Sequence, residues 1–233
     1  MHRMRLLNVL AIALILAACD DGNGDGDGGA TGDGGTDRMD GSTLPDGAPR
    51  PVDGATDAGF DDLVATAQIG IHDGPKVALA RNYWDELGRG SLAEVHTVLH
   101  DRLVESTNLP RIPRAEQPVS GLERTAIGGL LATNRRLQPE MLGALGLLEL
   151  QAGPRCRAVV QALTRLDAPE GAFPFYREHA TADPRHGKEW LDEVVAPLAE
   201  QHPDWAHRMV VGARWRDEVN TRFFAEARLF TGG

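Results

Sequence analysis

Near the carboxyl-terminal end of the chain, three side chains that can bind a metal ion recur at helical spacing. His179, Asp183 and His186 follow one another at intervals of four and three residues. This spacing places them within about 60° of one another on one face of a helix. Imidazole nitrogens and carboxylate oxygens are ligands that transition metals accept. Phe175 and Trp190 extend the same face, so we expect it to point into the protein core and to present a metal site there.

Pro184 lies inside this segment and leaves two interpretations open. A proline within a helix removes one backbone hydrogen bond and kinks the chain. Alternatively, Pro184 is the first residue of a new helix and Asp183 is its N-cap. In that second interpretation the helix end competes with a metal for the Asp183 carboxylate.

A carboxylate interrupts a second segment that is otherwise apolar nearly all round. Glu149 shares a helical stripe with Leu142 and Leu145, and a helix that is apolar on every side is a buried one. An unpaired carboxylate in such a place costs several kcal/mol or is forced into its neutral form. Glu149 therefore needs a cation, a hydrogen-bond donor or a metal, and Arg157 or Arg214 could supply the cation.

Two more polar residues occupy apolar helix faces in the first half of the domain. His96 shares a predicted stripe with Leu92 and Leu99, whereas His100 falls off that stripe and is expected to be solvated. Glu86 lies on the apolar face of the preceding predicted helix. Each residue taken alone has an ordinary explanation, since a core histidine usually bonds a carbonyl group and Glu86 could be an exposed helix-end residue.

Ordinary structural roles are a poorer explanation for the six polar residues taken together. Three imidazoles and three carboxylates on four apolar helix faces have the composition of a metal site inside a helix bundle. The predicted metal ligands are Glu86, His96, Glu149, His179, Asp183 and His186.

The elements that must position these residues are helices. From Phe60 onward the apolar residues recur at helical spacing, and no segment alternates with the period of a strand. The fold class is therefore all-α. Two S-x-x-E capping boxes, Ser91 with Glu94 and Ser120 with Glu123, predict helix starts. The predicted helices are 60–70, 75–87, 91–105, 120–136, 139–151, 154–166, 171–201 with a break or kink, and 203–229.

The charge balance excludes one large class of partner. The 233 residues include 24 Lys and Arg against 34 Asp and Glu, a net charge of −10. Most of this negative excess lies in residues 20–59, and residues 60–233 have the size of one domain. A protein that neutralises nucleic-acid phosphates normally carries a basic excess. No nucleic-acid partner is therefore expected.

The amino-terminal end predicts export and lipid attachment. Residues 1–18 have a basic start and an apolar run that is too short to span a bilayer, as in a signal peptide. The run ends in Leu16-Ala17-Ala18-Cys19, which resembles the lipobox of bacterial lipoproteins, in which the cysteine is lipidated. Residues 19–59 begin with this cysteine and are rich in Asp and Gly, which predicts a flexible tether. The protein would thus be extracytoplasmic and lipid-anchored, with Asp20 favouring the inner membrane.

The ordered set of candidate ligands resembles the heme-oxygenase-like diiron oxidases, a family often labelled iron-containing redox enzymes. Its pattern is a Glu, a His ten residues later, a Glu on a Leu-rich helix and then H-x3-D-x2-H. These positions are Glu86, His96, Glu149, His179, Asp183 and His186 in this chain. The resemblance covers about residues 60–230 and implies a heme-oxygenase-like bundle of about seven helices.

The resemblance also implies an activity. The six residues would ligate two Fe ions, and members of the family use O₂ to oxidise, cleave or desaturate small organic substrates. Arg177, Arg185 and Arg214 are candidates for binding a substrate carboxylate, although arginines near helix ends are usually solvated or paired. The oligomeric state and the substrate do not follow from the sequence.

Two other functions remain open at this stage. One is a non-catalytic lipoprotein of the same fold that binds a metal or a small ligand. The other is a metal-free enzyme that resembles the thiamin-degrading relatives and needs a nucleophilic cysteine, for which Cys156 is the candidate. A small apolar core residue is the more ordinary role for Cys156. With Cys19 lipidated, no intramolecular disulfide can form.

Overall fold

The computed structural model describes residues 59–108 and 114–231. These residues form eight α-helices and no strand, which confirms the all-α prediction. The helices are α1 (Phe60–Ala67), α2 (Asp73–Glu86), α3 (His96–Thr107), α4 (Val119–Thr133), α5 (Gln138–Arg165), α6 (Pro174–Glu189), α7 (Ala196–Gln201) and α8 (Pro203–Thr231). A π-helical segment, Trp190–Val195, joins α6 directly to α7, so the bundle has seven helical rods.

Several predictions concern amino-terminal residues that lie outside the ranges that the structure describes. The signal peptide at 1–18, the lipidated Cys19 and nearly all of the tether at 19–59 lie outside the described ranges. Within those ranges, no helix is both long and apolar enough to cross a membrane.

The helix α5 forms the centre of the bundle and packs most extensively against α6 and α8. A side chain at Gly143 of α5 would overlap the backbone of Met209 in α8. Conversely, a side chain at Gly212 of α8 would overlap the backbone of Glu140 in α5. The two helices therefore touch backbone to backbone, and the absence of a Cβ at both positions allows this contact.

The contact between α5 and α6 also depends on small residues. A Cβ at Gly187 of α6 would meet the backbone of Leu150, and a Cβ at Gly153 of α5 would meet the ring of Pro184. Pro184 lies within the continuous helix α6, so the interpretation that it starts a new helix with Asp183 as N-cap is wrong. The helix α6 therefore packs closely against α5 at the proline and one turn after it.

The prediction of two helices at 139–151 and 154–166 is also wrong, because α5 runs without a break through Pro154. A proline within a helix removes one backbone donor, yet α5 stays helical through it and packs extensively against α6 and α8.

Neither predicted capping box starts an α-helix. The backbone of Glu94 lies against Gly88, which has a φ of 60°, and residues 92–94 form a 3₁₀ turn instead of the start of an α-helix. The helix α3 begins only at His96. The helix α4 begins at Val119 with Pro118 at its N-cap, which places Ser120 inside its first turn.

The later start of α3 changes which face of it is buried. Leu92 is 47% exposed and lies outside the helix, whereas His96, Leu99, His100 and Leu103 form the inward face. The expectation that His100 is solvated is therefore wrong, since only 7% of it is exposed.

Candidate metal centre

Four helices bring the six predicted ligands into one interior region. Glu86 ends α2, His96 begins α3 and Glu149 lies in the middle of α5. The remaining three, His179, Asp183 and His186, project from α6. Five of the six are buried and His179 is partly buried, so all are withdrawn from bulk water.

Ligand atoms of five of these residues form two overlapping groups, and within each group the atoms lie within 4.8 Å of one another. One group contains Glu86, His96 and His179, and the other contains Glu86, Glu149 and His186. Glu86 belongs to both. A carboxylate has two oxygens and can serve two cations at once, so this arrangement suits a pair of adjacent metal ions.

Asp183 lies beside the second group without being a member of it. Its Oδ1 is 3.6 Å from Nδ1 of His186, and its Oδ2 is buried without a hydrogen-bond partner. Asp183 also faces the cavity described below. The structure thus brings all six predicted residues together, with Asp183 at the edge.

In the group formed by Glu86, His96 and His179, the histidine rings face one another with centroids 4.4 Å apart. His179 Nδ1 lies 2.7 Å from the carbonyl oxygen of Phe175. Since a carbonyl only accepts, Nδ1 donates, and Nε2 is the nitrogen that remains for a metal. His96 Nδ1 lies 2.6 Å from Glu86 Oε2, but the angle does not make a hydrogen bond.

In the group formed by Glu86, Glu149 and His186, two outer side chains contact the candidate ligands. His186 Nε2 lies 2.9 Å from Asp85 Oδ2, and Glu149 Oε1 accepts a 2.8 Å hydrogen bond from Asn82. His186 Nδ1, which has no hydrogen-bond partner, lies 3.6 Å from Glu149 Oε2.

The electrostatics of the region favour a bound cation. Burial, together with the nearby Glu149 carboxylate, raises the pKa of Glu86 well above its ordinary value. Burial also raises the pKa of Asp183 and lowers that of His96. Burial alone would lower the pKa of His186, but contacts with Asp183 and Glu149 outweigh it and raise that pKa to about 11. Without a metal, the neighbouring carboxylates therefore stabilise the protonated form of His186, and its positive charge offsets their negative charge.

Unsatisfied buried atoms give an independent test of whether the residues fit a metal. Three candidate ligand atoms are buried without a hydrogen-bond partner: His96 Nδ1, Asp183 Oδ2 and His186 Nδ1. A buried polar atom left unpaired costs about 1–3 kcal/mol, so three at one place need an explanation. Nitrogen and carboxylate donors of this kind suit iron, and the residues present therefore fit that metal.

A cavity of about 180 Å³ adjoins the centre. Candidate ligands, including Glu86, His96 and His179, form part of its wall. The rest of the wall is mainly apolar and aromatic, with a few polar side chains that include His100, Tyr176, Arg124 and Arg155. A small organic molecule in this cavity would lie directly against the candidate ligands.

Several residues have roles that the sequence analysis did not identify. Glu149 is bonded by Asn82 instead of Arg157 or Arg214. Asn82 could have been found, because it lies one helical turn before Glu86 on the same face of α2. Cys156 is partly buried and borders the cavity, so the expected position in the apolar core is wrong.

The arginines that were candidates for binding a substrate do not line the cavity. Arg177 pairs with Glu170, and Arg185 pairs with Asp85 and Glu189. The cations that do border the cavity, Arg124 and Arg155, lie on α4 and α5.

The chain is similar in sequence to a known protein family. No curated protein matches the chain. A sequence model of the family described as iron-containing redox enzyme matches residues 55–221, which is more than half of the chain and includes all six candidate ligands. The chain therefore belongs to the iron-containing redox enzyme family, whose members are oxidoreductases of heme-oxygenase-like fold.

Proposed function

We propose that this protein is a non-heme diiron oxidase or oxygenase that uses O₂ to oxidise a small organic substrate. The observation that carries the proposal is the pair of overlapping ligand groups that share the buried Glu86. Two groups of three ligands with one common carboxylate are what two neighbouring ions require. The cavity on the same side provides room for a substrate.

The protein's own residues would divide the work as follows. Glu86 would bridge the two positions, with His96 and His179 at one and Glu149 and His186 at the other. Asp183, beside His186, would complete the set. The bound iron would supply the O₂ chemistry and the redox equivalents.

The cavity wall would orient the substrate and exclude water. Apolar side chains from several helices border the cavity, including Phe60, Leu148, Val159 and Phe175. They would hold the carbon skeleton of the substrate against the ligands.

The tautomer of His179 is fixed by its hydrogen bond to the Phe175 carbonyl group. This bond uses Nδ1 and leaves the lone pair of Nε2 directed away from that carbonyl.

Metal analysis of the full chain tests this function. Anaerobic loading with Fe²⁺ should give about two irons per chain, and adding O₂ should produce a transient visible absorption and consume O₂. The variant His179→Ala should lose iron, whereas His207→Ala, at an exposed position of α8, should keep it. Unchanged iron in His179→Ala would contradict the ligand assignment. Iron uptake without O₂ consumption under any reductant would favour the non-catalytic alternative.

We also propose that the enzyme is displayed as a membrane-tethered lipoprotein. The proposal is supported by the lipobox-like segment that ends at Cys19 and by the apolar run in residues 1–18. Asp20 favours the inner membrane. In a bacterial host, a clickable fatty-acid label should enter the wild-type chain and be absent from Cys19→Ser. Equal labelling of both chains would refute lipid attachment at this residue.

A further inference from the structure

The two ligand groups are held in place by different kinds of contact. In the group of Glu86, His96 and His179, the outer contact on His179 comes from the main-chain carbonyl of Phe175. In the group of Glu86, Glu149 and His186, the outer contacts come from the side chains of Asn82 and Asp85. A substitution of Asn82 or Asp85 therefore removes a contact to Glu149 or His186 and none to His179.

We propose that Asp85 and Asn82 are positioning residues that control occupancy of one metal position only, the position formed by Glu86, Glu149 and His186. The proposal rests on the diiron function proposed above and adds that the two metal positions differ in which residues control their occupancy. Outer-shell partners of metal ligands typically change metal affinity by about 10–100-fold when they are removed.

Asp85 is itself held in place by two arginines. Asp85 is buried, and its Oδ2 accepts a 2.6 Å hydrogen bond from Arg185, while its Oδ1 lies 3.7 Å from Arg89. The same Oδ2 lies 2.9 Å from His186 Nε2. Arg185 is also 3.1 Å from that nitrogen. Because an ionised carboxylate only accepts, the 2.9 Å contact places a proton on Nε2, and both Arg185 and His186 donate to Asp85 Oδ2.

This contact decides which nitrogen of His186 can bind a metal. With the Nε2 proton donated to Asp85, the lone pair of neutral His186 lies on Nδ1. Nδ1 is the atom that lies 3.6 Å from both Glu149 Oε2 and Asp183 Oδ1 and has no hydrogen-bond partner. Asp85 thus holds the ring with its metal-binding nitrogen towards the other ligands.

Asn82 does the same for Glu149. Its amide donates to Glu149 Oε1 in a fully buried contact, which leaves Oε2 on the side of His186. Because Asn82, Asp85 and Glu86 all lie near the end of α2, one helix end supplies both positioning residues and the shared ligand.

The test is anaerobic titration of the full chain with Mn²⁺, followed by calorimetry and electron paramagnetic resonance. Wild type should bind two ions and show the exchange-coupled spectrum of a dinuclear centre. Asp85→Ala and Asn82→Ala should bind one ion as before and the other about 10–100-fold more weakly, with the spectrum of an isolated ion at intermediate loading. Asp85→Asn keeps an acceptor oxygen and should restore most of the affinity.

Glu193→Gln is the matched control, because it removes an exposed ion pair with Arg81 on α2 and contacts no candidate ligand. It should behave as wild type. Circular dichroism confirms folding of each variant, and Asn82→Ala carries the same test if Asp85→Ala does not fold.

The outcomes separate this inference from the function on which it rests. If wild type binds two ions and both alanine variants also bind two with unchanged affinity, the positioning roles are wrong and the diiron function stands. Equal weakening of both positions likewise refutes the proposed difference between them. If wild type binds no metal, the proposed function itself fails.

Discussion

At the scale of single residues, the properties of the candidate centre arise because acidic side chains and imidazoles are buried beside one another. Glu86 and Glu149 are each only 3% exposed, and His186 is fully buried. Burial of carboxylates without positive charge is unfavourable, so in the metal-free protein a proton on His186 takes the place of a cation. A metal bound by His186, as proposed, would therefore compete with this proton for the same side chain.

This competition predicts a pH dependence of metal binding. The pKa of His186 is raised to about 11 in the absence of metal, so at neutral pH the ring carries a proton that must leave when a metal binds. Affinity should therefore rise with pH between 6 and 8, by about tenfold per unit if one proton is released. Calorimetry in buffers with different ionisation enthalpies measures that release. A pH-independent affinity without proton release would contradict the prediction.

At the scale of the helices, the positions of the ligands depend on how closely α5 is approached by its neighbours. The helix α5 carries Glu149, and α6 carries three further candidate ligands. Glycines on both helices and on α8 remove the side chains that would keep the backbones apart. The distance between Glu149 and His186 therefore depends on residues that are not themselves candidate ligands.

A single methyl group at one of these contacts should be costly. Gly212→Ala places a Cβ where the Glu140 backbone lies, so we expect a loss of about 3 kcal/mol in the free energy of unfolding, measured by urea denaturation. The matched control is Gly129→Ala in α4, where a Cβ would meet nothing within 4 Å. That variant should gain about 0.5–1 kcal/mol from helix propensity. Equal stability of the two variants would show that α5 and α8 can move apart freely.

At the scale of the whole molecule, the described residues form one bundle whose interior contains both an apolar core and the candidate centre. The main apolar cluster includes residues of α1, α2, α5 and the π segment, and some of these elements also carry the ligands. Metal binding should therefore stabilise the entire fold instead of a local loop.

Thermal unfolding tests this coupling. Fe²⁺ at 100 times its dissociation constant should stabilise the folded state by about 2.7 kcal/mol, which corresponds to a rise in Tm of about 5–10 °C for a domain of this size. The measurement is anaerobic calorimetry, with Mg²⁺ as the control ion because it prefers oxygen ligands. His179→Ala should lose most of the rise. A Tm that does not respond to Fe²⁺ would argue against a buried metal centre.

The residue types and their periodicity were sufficient to predict an all-α domain and the six side chains that meet in its interior. Helical spacing reports which residues share a face, and a charged residue on an apolar face signals a buried site. Local capping motifs predicted the helix starts poorly, since α3 and α4 do not begin at the predicted capping boxes. In the structure, the backbone of Glu94 lies against Gly88, and Pro118 instead of Ser120 precedes the first residue of α4.

Only the tertiary structure decided how the six residues are arranged. It placed Glu86 in both groups of candidate ligands, put Asp183 at their edge and brought Asp85 to His186 across 101 positions of the chain. It also turned His100 inward. Helical periodicity specifies directions around each helix axis, but distances between helices depend on side-chain volume at their contacts. Those contacts form only when the whole bundle packs.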